Sequence, residues 1–318
     1  MRLIVSFLLC ALMLCSAPLP SAAQVVDFNS IGAPSLVVEP AYPTPGSEFT
    51  VRFDDVRSAA QGANIRWFYN NVEVAQDTRE VVFVAPEVGQ SATVKVLLDV
   101  SGRIETYQTV VEPLYFDLII EPQTHVPEFY PGRALPSVGS QTRVTALLDN
   151  GRSLGNDYIY LWRINDTVFG AGPLRGQNAI TFPMPQGIEA ILSVQVSTLS
   201  NVVVAKRTIA IRSVRPEVQW YELNTLYGLE TRALTSFNLI GNSAIFRAEP
   251  YYLDSAVFNR PDILEWKLDR TKIISNNTNP YEMTLERTGN PGDALLGFQV
   301  RSLSQLLQGA NKNLQINL

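Results

Sequence analysis

Three short stretches of the chain alternate apolar and polar side chains around a tryptophan and then break at an Asn or Asp. They are Ile65-Arg66-Trp67-Phe68-Tyr69-Asn70-Asn71, Tyr160-Leu161-Trp162-Arg163-Ile164-Asn165-Asp166 and Leu264-Glu265-Trp266-Lys267-Leu268-Asp269-Arg270. A period of two places alternate residues on opposite faces of a strand. Asn and Asp tolerate the left-handed backbone of a tight hairpin, so each stretch predicts a strand, a two-residue turn and a returning strand over 72–74, 167–169 and 271–274.

The flanks repeat in the same order. Alternating strands are predicted over 49–53, 144–148 and 244–248 before the tryptophans, and over 81–83, 180–182 and 283–285 after them. Pro/Gly turns follow at 86–89, 185–187 and 290–292, and then strands at 94–96, 194–196 and 298–300. Leu36-Val37-Val38-Glu39-Pro40 is echoed by Leu118-Ile119-Ile120-Glu121-Pro122, and a third opening strand falls at 218–221. Self-similarity on this scale divides the chain into units of 24–113, 114–215 and 216–318. Glu112-Pro113 and Arg215-Pro216 are the linkers, short and stiffened by proline, so a semi-rigid rod of three domains is expected.

Seven or so short strands per unit, with a tryptophan on the third, predict an all-β chain of three tandem Ig-like antiparallel β-sandwiches. Two sheets packed face to face bury one face of each, and Trp67, Trp162 and Trp266 are the expected structural core. The opening Tyr42-Pro43-Thr44-Pro45-Gly46-Ser47-Glu48-Phe49-Thr50-Val51 resembles the start of PKD-like and related Ig-like domains of bacterial exported proteins. An antibody-type domain is excluded by the missing inter-sheet cysteines.

The units differ in one place. From first strand to tryptophan they measure 31, 44 and 48 residues, counted from Leu36, Leu118 and Val218. The added segments carry Tyr130 and Leu135 in the second unit and Tyr227 and Leu234 in the third. One expectation is a longer connection that shields a sheet edge. The other is a docking loop, or a strand given to a neighbouring domain, since loops on rigid scaffolds carry binding.

The N-terminus changes the picture of where the chain works. A basic start at Met1-Arg2 precedes an apolar run over 3–14, and Ser21-Ala22-Ala23 offers small residues for cleavage before Gln24. Residues 1–23 therefore read as a secretory signal peptide, with an uncleaved anchor as the alternative. A run of twelve residues spans about 18 Å as helix, against a hydrocarbon core of about 30 Å. The expected mature chain is exported to the periplasm, cell surface or medium, has no transmembrane span, and loses both cysteines, Cys10 and Cys15.

Composition narrows the chemistry. Of 318 residues 46 % are hydrophobic, enough to fold, and 25 Lys plus Arg against 30 Asp plus Glu argue against nucleic acid as a partner. Two Cys and one His exclude most zinc, haem, iron–sulfur and Cys/His nucleophile schemes. His125 sits in a Pro-rich connection and is expected to be solvent-exposed. The carboxylates Asp54, Asp55, Glu265 and Asp269 read as solvated turn residues rather than a glycosidase pair. Asp149, Asn150, Asn156 and Asp157 are weak calcium candidates, four oxygen-bearing side chains in one loop. No cofactor is called for and no catalytic residue emerges. Tyr251 and Tyr252, and then Tyr158 and Tyr160, are the candidates for stacking on sugar rings. The expected function is a non-enzymatic scaffold, adhesion or assembly component of the cell envelope with other envelope or secreted proteins as partners. The alternative is a carbohydrate-binding module protein.

Overall fold

The computed structural model describes residues 34–55, 63–151, 155–288 and 292–317. The expected signal peptide 1–23, and two residues of the turn expected at 290–292, lie outside them.

The first sandwich pairs a three-stranded sheet, Ser35–Glu39, Glu48–Asp54 and Glu80–Val84, with a four-stranded one. The latter runs Val72–Gln76, Asn64–Tyr69, Ala92–Val100, Arg103–Val111 in spatial order. Alternation decides which face goes inward. Phe49, Val51 and Phe53 of one sheet and Trp67, Val94 and Val96 of the other are all buried in a single cluster, while Thr50 and Arg52 face outward.

The second sandwich repeats this order. Gln141–Asp149 lies between Tyr115–Pro122 and Ala179–Pro183, facing a sheet of Thr167–Val168, Ile159–Ile164, Glu189–Ser197 and Val203–Arg212. Val144, Trp162, Phe182 and Leu192 fill the space between. In the third sandwich Ser243–Tyr251 is flanked by Glu217–Asn224 and Glu282–Glu286. Across from them stand Thr271–Ile273, Ile263–Leu268, Asp293–Arg301 and Gly309–Asn317. The chain is thus built of three tandem Ig-like antiparallel sandwiches.

The three tryptophans hold equivalent places, each at most 2 % exposed. An indole buried this deeply needs a partner for its N–H. Trp67 Nε1 donates to the Thr78 carbonyl at 2.8 Å, Trp162 to Gln177 at 2.9 Å and Trp266 to Pro280 at 3.0 Å, each just ahead of the next strand of the opposite sheet. Three residues on, the hairpin is pinned to the same neighbour in every copy. Both turn residues have positive φ: 49° and 69° at Asn70-Asn71, 47° and 63° at Asn165-Asp166, 49° and 71° at Asp269-Arg270. This is the two-residue turn whose twist matches the strands. The leading side chain then accepts a backbone N–H from the adjacent strand: Thr93 to Asn70 at 2.9 Å, Ile191 to Asn165 at 2.8 Å, Leu295 to Asp269 at 2.8 Å. The fourth tryptophan, Trp220, lies on the first strand of the third sandwich and packs on Trp266 with ring centroids 5.6 Å apart.

The added segments take different courses. In the third sandwich Ser236–Asn238 runs parallel to the last strand, with Phe237 opposite Ile316, and covers that sheet edge. In the second sandwich Ser137 bridges to Val214 in the same sense and the Pro136 carbonyl accepts from Val214 N–H, while His125 and Tyr130 reach the third sandwich.

Replacing Trp162 by Phe removes the donor to Gln177 and part of the core volume, and is expected to cost about 2–4 kcal/mol. Asn165→Ala loses the Ile191 bond and strains a left-handed position, at about 1–2 kcal/mol. Urea denaturation of both variants measures the two losses.

Candidate functional site

The segment that leaves the second sandwich docks on the third. Three backbone hydrogen bonds form a short antiparallel ladder between them: His125 N–H to the Leu253 carbonyl at 2.7 Å, Tyr252 N–H to the His125 carbonyl at 2.8 Å and Ser255 N–H to the Gln123 carbonyl at 3.0 Å. Thr124 and Asp254 face each other at its centre. A strand fragment of one sandwich is thereby paired with a loop of the next.

The side chains complete a buried polar network. Glu249 is 1 % exposed, and its Oε1 lies 2.5 Å from His125 Nε2. Its other oxygen is 2.8 Å from Arg247 Nε, an ion pair within its own strand. The His125 ring is stacked on Phe258 with centroids 3.5 Å apart and planes 5° from parallel, and Phe258 in turn stacks on Tyr281 at 4.7 Å. The expected solvent-exposed histidine is therefore corrected: its polar edge is used by a buried carboxylate and its face by an aromatic ring.

Asp254 joins the two bodies from the opposite side. Its Oδ1 accepts from Ala256 N–H and so caps the short helix Ser255–Asn259, while Oδ2 accepts from Gln141 N–H of the second sandwich at 2.9 Å. Gln308, fully buried, bonds in three directions. It donates to Ser137 Oγ at 2.9 Å and to the Val138 carbonyl at 2.7 Å, and accepts from Asp254 N–H at 2.7 Å. Ser137 Oγ donates onward to the Tyr252 carbonyl at 2.6 Å. Buried polar groups that are satisfied in this way specify one geometry, because any other leaves several of them unpaired in a medium of low dielectric.

Of the expected docking residues, the structure brings Tyr130 into this seam, with its hydroxyl 2.9 Å from that of Tyr252 and its ring edge-on to Tyr251 at 5.3 Å. Leu135 is half-buried beside it, its carbonyl accepting from Thr124 Oγ1 at 2.8 Å. Leu234 folds back on its own sandwich, its N–H donating to the Trp220 carbonyl at 2.8 Å, and Tyr227 stands on the surface at 85 % exposure.

The expected sugar-stacking pair needs correcting. Tyr251 is 4 % exposed and Tyr252 half-buried, so Tyr251 has no open face for a sugar; Tyr158 and Tyr160 are buried in the second core. Burial, and then the 2.6 Å hydrogen bond with Tyr221, lifts the Tyr251 phenol well above the ordinary tyrosine range. Burial and the bond to Tyr130 lift Tyr252 to about 12.

The calcium candidates have protein partners. Asp149 Oδ1 accepts from Gly151 N–H at 2.7 Å, Asn150 Nδ2 donates to the Tyr158 hydroxyl at 3.2 Å, and Asp157 lies 3.6 Å from Arg175, whose Nε donates to the Asn156 carbonyl. The turn that Asp149 holds brings Gly151, at φ 74°, against Gly89 of the first sandwich so closely that a Cβ at Gly151 would fall on the Gly89 backbone. Among the described residues no group of three or more His, Cys, Asp or Glu could hold a metal ion. The candidate carboxylates likewise have local partners: Asp54 lies beside Arg52, Asp269 serves its hairpin, and Lys272, by hydrogen bond and charge, holds Glu265 below the usual carboxylate range.

No family model and no curated protein matches the chain, so the PKD-like resemblance gains no family assignment. Solved structures that it is similar to include fibronectin(III)-like modules of Clostridium thermocellum CbhA, at 10 % identity, covering 56 % of this chain and 93 % of that one, TM-score 0.28. Three N-terminal domains of the bacteriophage RB49 outer capsid protein Hoc match at 10 % identity over 90 % and 99 %, TM-score 0.26. The central fibronectin-III array of RIM-binding protein matches at 9 % over 90 % and 97 %, TM-score 0.29. The sandwich assignment rests on the sheets and cores above and not on these overlays.

Gln308→Ala takes the partner from the buried Asp254 N–H and from the Val138 carbonyl at the seam and is expected to cost about 2–3 kcal/mol. Calorimetry is expected to show the second and third sandwiches melting together in the unaltered chain and in separate transitions in the variant. The raised tyrosines fix a pH response. The unfolded chain loses its phenol protons near pH 10 while the seam keeps them, so their contribution is full below about pH 10 and is lost as pH rises towards about 12. Urea midpoints between pH 8 and 12 are expected to fall only in the upper part of that range.

Proposed function

We propose that the protein is a non-catalytic exported scaffold, adhesion or assembly component of a cell envelope that works by contact with other proteins. The observation that supports this reading is the seam between the second and third sandwiches. A hydrogen-bonded network buried between two modules fixes their loops relative to one another, and a surface that is already ordered loses little entropy when a partner docks. The same network engages the only histidine, His125, with Glu249 through Nε2. Among the described residues no helix is long and apolar enough to cross a membrane. Exposed apolar side chains on strands and turns, among them Val72, Val82, Ile188 and Leu306, offer contact area of the kind proteins use on proteins.

Residues 24–318 produced without the leader are expected to be retained by isolated envelopes of the host cell. Retention that is lost when the envelopes are pretreated with protease supports protein partners. Retention that survives protease and is lost to glycan-degrading enzymes assigns the chain to carbohydrate binding instead. No retention on either preparation contradicts both readings.

A further inference from the structure

On one flank of the seam, the turn at 185–188 of the second sandwich and the hairpin at 303–308 of the third stand on either side of a cleft of about 600 Å³. Its walls are apolar: Val138, Ile188, Pro216, Leu306 and Leu307 line it. Ile188 is 84 % exposed, Leu306 80 % and Leu307 55 %, so three large aliphatic side chains are held in water at one place. Such a cluster is unfavourable for a free surface and is expected where something covers it.

The leucines are not on a loose tip. Gln308, the residue after Leu307, is the buried hub bonded to Ser137, Val138 and Asp254, so the hairpin is fixed by the seam itself. Ser302 Oγ and Leu303 N–H both donate to Asp262 at the other end of the hairpin. The apolar wall is thus pre-organised, as a binding surface must be to gain affinity from few contacts.

Charge narrows the occupant. Among the described residues Arg215 is the only charged one lining the cleft; it is exposed and makes no ion pair with any of them.

We propose that this cleft binds an extended segment of a partner protein in which apolar side chains stand next to an Asp or Glu. The apolar side chains lie on Ile188, Leu306 and Leu307, and the carboxylate meets Arg215. The proposal rests on the reading of the chain as a protein-binding scaffold and narrows it to one cleft.

The test is to pan a displayed library of random nine-residue peptides against residues 24–318 and to measure the enriched peptides by fluorescence polarisation. Enriched sequences are expected to carry Asp or Glu beside aliphatic or aromatic residues. Their affinity is expected to fall at least ten-fold on Ile188→Ser, Leu306→Ser and Arg215→Glu, with unchanged melting temperature because all three side chains are exposed. Failure to enrich any peptide, or peptides indifferent to all three substitutions, overturns the proposal. So does a concentration-dependent dimer abolished by Leu306→Ser, which gives the cleft to a second copy. Protease-sensitive envelope retention that persists in Leu306→Ser overturns the cleft and leaves the scaffold reading intact, whereas absent retention of the unaltered chain overturns that reading itself.

Discussion

A carboxylate with 1 % of its surface exposed needs polar partners within the protein, and Glu249 draws one of them from another module. His125 is 124 positions away in sequence, on a segment belonging to the second sandwich, yet it supplies the contact to one Glu249 oxygen. Removing it would leave that oxygen desolvated and without this contact, at a cost of about 1–3 kcal/mol. This requirement ties the third sandwich to the second more firmly than the four residues between Arg212 and Glu217 could.

The repeat and its exceptions divide the labour. Each sandwich has the same buried indole, the same left-handed hairpin and the same side-chain bond to the neighbouring strand, so the modules are fixed locally and independently. What distinguishes one from another is the connection between the first two strands. In the third sandwich it closes a sheet edge, at Ser236–Asn238; in the second, the connection 123–140 supplies Gln123, His125 and Ser137 to the junction. Modules of one design are thereby joined in a specific geometry, and the exposed aliphatic cleft beside the junction exists only because that geometry is fixed.

Legibility in the sequence followed the range of the interactions. Trp67, Trp162 and Trp266 with their Asn or Asp turns were readable because a strand and its hairpin are specified by residues within a few positions. The extra dozen residues around Tyr130 and Leu135 were visible as a difference between repeats, and both a shielded edge and a neighbour contact were compatible with them. The seam was not readable: Glu249 alternates with apolar neighbours like any outward residue, and nothing nearby signals that His125 will reach it. Tyr251 and Tyr252 looked like surface aromatics for the same reason, since period-two alternation tells which face a residue takes and not whether another module covers that face. Asp149 and Asn150 show the converse ambiguity, because one set of oxygen-bearing side chains serves equally for an ion or for a turn, and here Asp149 turns the chain to pass Gly151 against Gly89.

The central claim is that the second and third sandwiches form one rigid body. It is tested most directly by a distance distribution between spin labels at two exposed outer positions, Thr181→Cys and Asn311→Cys, in residues 24–318. A single narrow distribution, broadened when Gln308→Ala is introduced, is the result expected of a junction fixed by buried hydrogen bonds. A broad or multimodal distribution in the otherwise unaltered chain would contradict the account.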